Sequence, residues 1–206
     1  MMQITDIVRR TIIQFCAEFI ENPYLCYTEH GQHALFYTKL YNALPPEQRH
    51  TTWQGHKVCV VQKEYPTAGD LGKPHRQHWD IAVIKAPAES IPIECSGYDY
   101  LKLAAVVEFG MNEPAEHLKH DIERLCHPEA NLIQGFIVHL YRLSKPGALF
   151  SNRDWSSNST RILTLEDLAE LSTGKTVEIY YGMAGSTGEH KLGVWRIQRG
   201  KISLPK

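Results

Sequence analysis

A strand–helix–strand pattern between residues 103 and 141 restricts the possible folds of this chain more than any other feature. The segment "LAAVVEF" (103–109) is apolar on both faces, which predicts a strand in the middle of a sheet. Apolar residues spaced by three or four positions predict an amphipathic helix that begins at Glu113–Pro114 and ends before Pro128. The segment "NLIQGFIVHLY" (131–141) then predicts another strand. Because such βαβ connections are right-handed, the two strands are expected to be parallel neighbours.

The chain before this unit predicts two helices followed by two strands. The first helix ends at an Asn-Pro step (22–23), and the second covers about 28–43. Stretches rich in β-branched residues predict strands at 56–65 and 77–85. The order of elements predicts an α/β fold with a mixed central β-sheet flanked by helices. Asn112 is expected to cap the helix that follows 103–109.

The change in amino-acid composition along the chain predicts two regions. Residues 1–143 are expected to form the core domain. Residues 144–206 are expected to add a polar linker, a short helix and a β-hairpin, as a small C-terminal α+β extension packed on the core. Thr164 and Asp167 have the spacing of a capping box at the start of that helix. The hairpin is expected over 176–198.

Composition excludes several classes of protein. The net charge of −1 argues against a strong non-specific nucleic-acid binder. No apolar run is long enough to cross a bilayer, and the first residues do not resemble a signal peptide. We therefore expect a cytoplasmic protein with no membrane partner. The five cysteines form no CxxC pair, which argues against a zinc ribbon or a disulfide framework.

Three acidic residues occupy positions that could hold a metal ion. Glu29 lies at the start of the second helix, Asp80 lies inside a strand, and Glu108 ends the apolar strand. Antiparallel pairing would place Asp80 and Glu108 about 5 Å apart. Carboxylates that close repel each other unless one is protonated or a cation lies between them. Mg²⁺ or Mn²⁺ would satisfy both, with the carbonyl of Phe109 as a third oxygen ligand.

Each of these acids also has an ordinary explanation. Asp80 could make a structural hydrogen bond, and Glu108 could be a polar strand end. Glu29 could simply favour the positive end of the helix dipole.

The chemistry that such a site would serve is phosphodiester hydrolysis. A metal lowers the pKa of a bound water and neutralises charge on the phosphate, and a nearby lysine commonly orients the water. Since side chains alternate along a strand, the residue two positions after Glu108 would point to the same side. That residue is Gly110.

The segment "HWDIAVI" followed by "LAAVVEFGMNEPAEHLKHDIERL" resembles the core of the PD-(D/E)XK nuclease superfamily, which has the restriction-endonuclease-like fold. "YTEHGQHALFY" resembles the preceding helix of that family, so the resemblance covers roughly residues 5–142. It implies that Glu29, Asp80 and Glu108 take the metal-site positions. It also implies a Mg²⁺- or Mn²⁺-dependent nuclease that binds nucleic acid, most often DNA, with a homodimer as one possible assembly.

The sequence departs from this family at the motif lysine, which is Gly110. A lysine supplied from the following helix would be Lys119, and Lys63 and Lys85 are further candidates. The alternative is a catalytically inactive protein of the same fold that binds nucleic acid or a protein partner.

Histidine suggests a third possibility. The chain has eleven histidines. Three pairs have HxxH spacing: His30/His33, His75/His78 and His117/His120. Imidazole pairs of this kind can bind transition metals, although histidines on a polar surface show the same spacing.

Overall fold

The structure is a computed structural model, and it describes residues 3–69, 71, 77–91, 100–142, 163–184 and 193–204. The helices are α1 (Ile4–Glu21), α2 (Glu29–Ala43), α3 (Ala115–Leu125) and α4 (Leu165–Ser172). The strands are β1 (His50–Trp53), β2 (His56–Cys59), β3 (Val61–Pro66), β4 (His78–Ile84), β5 (Ser90–Ile91), β6 (Tyr100–Leu101), β7 (Leu103–Met111), β8 (Leu132–Tyr141), β9 (Glu178–Met183), β10 (Val194–Gln198) and β11 (Lys201–Ser203). Two 3₁₀ helices lie at Pro46–Gln48 and Pro128–Ala130.

A seven-stranded mixed sheet forms the centre of the fold, in the order β11-β10-β9-β8-β7-β4-β3. β7 and β8 are parallel, as are β8 and β9, and the other neighbours are antiparallel. Because α3 connects β7 to β8, the predicted βαβ unit is confirmed. The prediction of a mixed sheet flanked by helices is also confirmed.

The helices cover both faces of this sheet. Apolar residues of α1 and α2, such as Phe15 and Phe36, join one core cluster. Residues of α3 and α4, such as Leu118 and Leu168, join the core cluster on the other face. Alternating side chains of β7 enter both clusters, which explains why its sequence is apolar on both faces.

Capping explains where two of the helices begin. Thr28 accepts a hydrogen bond from the amide of Gly31 at the start of α2. Thr164 and Asp167 form the expected capping box of α4. The expected cap at Asn112 is wrong, because α3 begins three residues later.

Asn112 instead stabilises one end of the sheet. It has a left-handed backbone (φ 60°), and its side-chain oxygen accepts a 3.0 Å hydrogen bond from the amide of Arg142. An asparagine tolerates this conformation better than most residues. The turn after β7 is thereby tied to the turn after β8.

The single strand expected at 56–65 is two strands. β2 pairs with β1 in a small separate sheet, whereas β3 pairs with β4 in the main sheet. Val60 lies at the change of partner, where its amide donates to the carbonyl of Arg49 and its carbonyl accepts from the amide of Ile84. The local composition predicts extended backbone, but it carries no information on this change of partner.

The C-terminal residues continue the main sheet. β9 and β10 form the expected antiparallel hairpin, and β9 pairs in parallel with β8 of the preceding region. The expected boundary after residue 143 and the linker from 144 to 162 lie outside the described residues. Among the described residues, no helix has the length and hydropathy needed to cross a membrane.

Candidate metal centre

Asp80 and Glu108 lie side by side on the paired strands β4 and β7. Ile81 is opposite Val107 in the antiparallel register, so Asp80 and Glu108 are the next opposed positions. Oδ2 of Asp80 accepts a 2.8 Å hydrogen bond from the amide of Phe109. The structure therefore brings together the two acids that the sequence places on these strands.

These two carboxyl groups both ionise less readily than an exposed carboxyl group. Burial raises the pKa of Asp80 and raises the pKa of Glu108 well above its ordinary value, and the negative charge of Asp80 raises the latter further. Both directions show that two uncompensated negative charges are unfavourable here, so this pair favours a proton or a cation.

Arg124 of α3 is the cation that contacts this pair. Its Nη2 lies 3.0 Å from Oε1 of Glu108 and donates a 2.9 Å hydrogen bond to the carbonyl of His78. Its guanidinium lies over the ring of Trp79, 5.0 Å from the centroid. Contacts with Glu108, with the carbonyl of His78 and with the ring of Trp79 thus fix the guanidinium at the start of β4.

A third buried acid, Asp121, lies behind Arg124 on the same helix. Its oxygens are 3.7 Å from Arg124 Nη1 and 3.5 Å from His117 Nε2, and neither has a hydrogen-bond partner among the described residues. Burial raises the pKa of Asp121 to about 7. One arginine is therefore shared by Glu108 and Asp121, with His117 as a further partner when it is protonated.

Glu29 reaches the same end of the sheet from the opposite face. It is the first residue of α2, and its Oε2 accepts a 2.9 Å hydrogen bond from the amide of Met111. Burial raises the pKa of Glu29, and the negative charge of Asp80 acts in the same direction. Glu29 and Asp80 thus accept hydrogen bonds from Met111 and Phe109, which are alternate amides of one strand.

Phe109 packs beneath this end of the site. Its ring lies 5.0 Å from the ring of His33 and 5.2 Å from that of Phe36. The structure defines the hydrogen bond of its amide to Asp80, whereas the metal-binding role expected for its carbonyl stays a prediction.

The candidate lysines make contacts elsewhere. Lys119 pairs with Glu116 at 3.0 Å on the exposed side of α3. Lys85 pairs with Glu89 beyond the far end of β4. Lys63 pairs with Glu64 on β3 and lies close enough for its charge to lower the pKa of His33. In the described part of the chain, the cation that bonds to Glu108 is Arg124 rather than a lysine.

His139 explains why a glycine follows at position 110. Gly110 and His139 are partners in the parallel register of β7 and β8. A Cβ at Gly110 would lie 2.8 Å from Cε1 of His139 and closer still to Nδ1. His139 is fully buried, and its Nε2 lies 3.1 Å from the hydroxyl of Tyr141. The imidazole occupies the space that a side chain at 110 would need.

The HxxH pair of α2 borders the centre on the β3 side. His33 is buried, with Nε2 3.7 Å from Oδ2 of Asp80. His30 and Glu64 lie beside it, and one ligand atom from each of the three residues is within 4.8 Å of the others. Of the other pairs, His75 lies outside the described residues, and His117 faces Asp121.

The sequence-based analysis missed Asp121 and Arg124. His117, Asp121 and Arg124 are spaced by four and three positions, so they share one face of α3. Asp121 also lies directly before Ile122 of the apolar stripe. This spacing was the available signal, and it is weak because charged residues at such intervals are common on exposed helix faces.

Comparison of this chain with protein-family models, with curated proteins and with solved structures finds no match. The geometry of the site therefore carries the functional argument by itself.

Proposed function

We propose that this protein is a divalent-metal-dependent phosphodiester hydrolase, a nuclease of the PD-(D/E)XK type, with Mg²⁺ or Mn²⁺ held between Asp80 and Glu108. The observation that carries the proposal is the excess of buried acid at one end of the sheet. Among the described residues, Asp80, Glu108 and Asp121 are within reach of a single guanidinium, that of Arg124. Such an excess is unfavourable unless protons or a cation offset it.

The donor set fits a hard divalent cation. Mg²⁺ and Mn²⁺ prefer carboxylate and carbonyl oxygens, which Asp80, Glu108 and the backbone at Phe109 supply. When bound, the metal would lower the pKa of a water and neutralise charge on the phosphate. Glu29, anchored to the amide of Met111, would orient that water through its second oxygen.

Arg124 would take the electrostatic part that the family assigns to a lysine. Its guanidinium is fixed beside Glu108 by the carbonyl of His78 and the ring of Trp79. A planar guanidinium can bind two oxygens of a phosphate at once. Lys119 is the competing candidate from the sequence, and its ammonium pairs with the exposed acid Glu116 rather than with an acid of the site.

Exposed aromatic side chains near the site support nucleic acid as the substrate. Tyr24 and Tyr27 are 54% and 77% exposed in the turn that leads into Glu29. The guanidinium of Arg142, which follows β8, lies 5.0 Å and 5.4 Å from their ring centroids. Exposed rings of this kind provide stacking surfaces for unpaired bases, so single-stranded DNA or RNA is the favoured substrate.

A nuclease assay tests the proposal. Purified wild type is incubated with single- and double-stranded DNA and RNA in Mg²⁺ or Mn²⁺, alongside Asp80→Asn, Arg124→Ala, Lys119→Ala and the exposed-acid control Glu116→Gln. We expect metal-dependent cleavage that falls about 1000-fold in Asp80→Asn, since a metal contributes several kcal/mol to such a transition state. Arg124→Ala should lose more activity than Lys119→Ala. Cleavage that survives in Asp80→Asn would contradict the proposal.

An inactive protein that binds nucleic acid is the second candidate. The observation that favours it is the imidazole of His139 against Gly110, which leaves no space for the motif lysine. This candidate predicts no cleavage under any metal condition, together with single-strand binding that weakens in Tyr27→Ala. Homodimerisation stays a prediction.

A further inference from the structure

We propose that His30, His33 and Glu64 bind one divalent transition-metal ion, for which Zn²⁺ is the probe. This site does not depend on the proposed nuclease activity, and its ligands are different residues. The two histidines are one turn apart on α2, and the glutamate comes from β3, which packs against that helix. Both elements therefore present the three ligands to one point beside the sheet.

The distances are close to those of a metal site. One ligand atom from each residue lies within 4.8 Å of the others. The centroids of the two imidazole rings are 5.5 Å apart, and the ring planes meet at 85°. Ligands at roughly 2.1 Å from a tetrahedral Zn²⁺ are about 3.4 Å from each other. A shift of about 1–1.5 Å by the exposed side chains of His30 and Glu64 would complete the geometry, while His33 stays in place.

His33 gives the strongest support for a cation at this cluster. Its side chain is only 1% exposed, yet neither ring nitrogen has a hydrogen-bond partner among the described residues. The nearest charged oxygen, Oδ2 of Asp80, is 3.7 Å from Nε2, which is beyond hydrogen-bond distance. Buried polar groups are almost always satisfied, so an unpartnered imidazole that faces a histidine and two acids points to a cation.

The backbone of Glu64 supports the same conclusion. Glu64 has φ of +53° inside β3, between Lys63 and Tyr65, which keep the regular register with β4. A left-handed glutamate inside a strand is strained by about 1–2 kcal/mol. Strain of this kind is commonly retained where it positions a functional side chain. Lys63 is the competing cation, because its ammonium lies 3.0 Å from Oε1 of Glu64.

The donor types select the metal. Two imidazoles and one carboxylate suit Zn²⁺ and other first-row transition metals, whereas Mg²⁺ and Ca²⁺ prefer oxygen ligands alone. Three protein ligands also leave a coordination position open to water. His33 would then lie between this Zn²⁺ site and the proposed Mg²⁺ site at Asp80 and Glu108.

Isothermal titration with ZnCl₂ tests the site on the full chain. We expect one tightly bound Zn²⁺ per chain in wild type, and affinity for this ion at least tenfold weaker in His30→Ala and in Glu64→Gln, because even residues that only support a metal ligand contribute that much. Both substituted side chains are exposed, so the fold should tolerate their loss. His120→Ala, at an exposed histidine of another HxxH pair, is the matched control and should bind as wild type does.

Co²⁺ provides a second readout, since d–d absorption of a four- or five-coordinate ion should appear in wild type and be lost in His30→Ala. Glu108→Gln should keep the Zn²⁺ affinity, which separates this site from the proposed nuclease centre. Equal Zn²⁺ affinity in wild type, His30→Ala and Glu64→Gln would overturn the proposal, as would the absence of Zn²⁺ binding. Neither result would affect the nuclease proposal, which is tested through Asp80.

Discussion

Two buried glutamates in this protein, Glu178 and Glu108, have opposite charge environments. Glu178 of β9 is fully buried, and its Oε1 lies 3.1 Å from Nε of Arg9 and 2.8 Å from Nε of Arg196. The hydroxyl of Tyr180 donates a 2.6 Å hydrogen bond to the same carboxylate. Two guanidiniums therefore balance this acid.

At Glu108 the balance is reversed. Glu108 is 2% exposed, with Asp80 and Asp121 close enough to raise its pKa, and one guanidinium in the described part of the chain, that of Arg124, reaches it. Burial is the same in both regions, whereas the ratio of acids to cations differs. Charge balance, rather than burial, distinguishes a structural acid from a candidate site.

Removing the charge at Glu178 should have the largest effect. Glu178→Gln leaves Arg9 and Arg196 without an anion, and breaking a buried ion pair from one side costs about 3–5 kcal/mol. Urea unfolding should show this loss against the exposed control Glu123→Gln, which should unfold as wild type does. A loss below about 1 kcal/mol would mean that the two regions do not differ as the charges indicate.

Acid should destabilise the protein, because two histidines at the end of the sheet that carries the candidate site are buried and neutral. Burial lowers the pKa of His139 to about 3 and that of His33 to about 4. The unfolded chain takes up these protons below about pH 6.5, whereas the folded chain does not. Stability is therefore lost as the pH falls from 6.5, by up to about 1.4 kcal/mol per pH unit for each histidine.

The variant His139→Gln isolates one of these contributions. The carboxyl groups with raised pKa change stability with pH in the opposite direction, because they bind protons more readily in the folded state. Their contribution is the same in wild type and in His139→Gln. Urea unfolding between pH 4.5 and 7 should give a shallower acid loss in His139→Gln than in wild type. Identical slopes would show that His139 is protonated in the folded state.

The contact between Gly110 and His139 should give an intermediate effect. Gly110→Ala places a methyl group against the imidazole, and overpacking of this kind costs about 1–3 kcal/mol. Gly193→Ala is the matched control, because a Cβ there meets nothing within 4 Å. In a His139→Ala background the cost of Gly110→Ala should shrink. An unchanged cost in that background would rule out the imidazole as the obstacle.

Neutralising Glu108 should have the smallest effect and the opposite sign to Glu178→Gln. The amide of Glu108→Gln can donate a hydrogen bond to Asp80, and it removes the repulsion between the two carboxylates. We expect the metal-free variant to be more stable by about 1 kcal/mol, as is common when a functional site is relieved of strain. Thermal unfolding in EDTA checks this, and a lower melting temperature would contradict it.

The fold could largely be predicted from periodic patterns. The apolar strand at 103–109, the stripe of α3 and the next strand define the βαβ unit, because the two periods differ and the connection has one hand. The partner change at Val60 and the turn at Asn112 could not be predicted in this way. Both depend on contacts with residues distant in the sequence, namely Arg49, Ile84 and Arg142.

The candidate site could be predicted only in part. Asp80, Glu108 and Glu29 stand out because an acid beside apolar strand residues or at a helix start is visible in the sequence. Arg124 resembles an ordinary surface residue of α3 until the packing of Trp79 beneath it is known. The reason for a glycine at position 110 likewise lies in the neighbouring parallel strand. Its register partner there is His139, which is 29 positions later in the sequence.

Calorimetric titration of Mn²⁺ is the most direct test of cation binding between Asp80 and Glu108. The titration compares the His30→Ala protein, which lacks one ligand of the histidine cluster, with His30→Ala/Glu108→Gln and His30→Ala/Glu116→Gln. We expect one Mn²⁺ per chain, displaced by excess Mg²⁺, in the first and third proteins, and no measurable binding in the second. Equal Mn²⁺ binding in all three proteins, or none in any, would contradict a metal centre at this carboxylate pair.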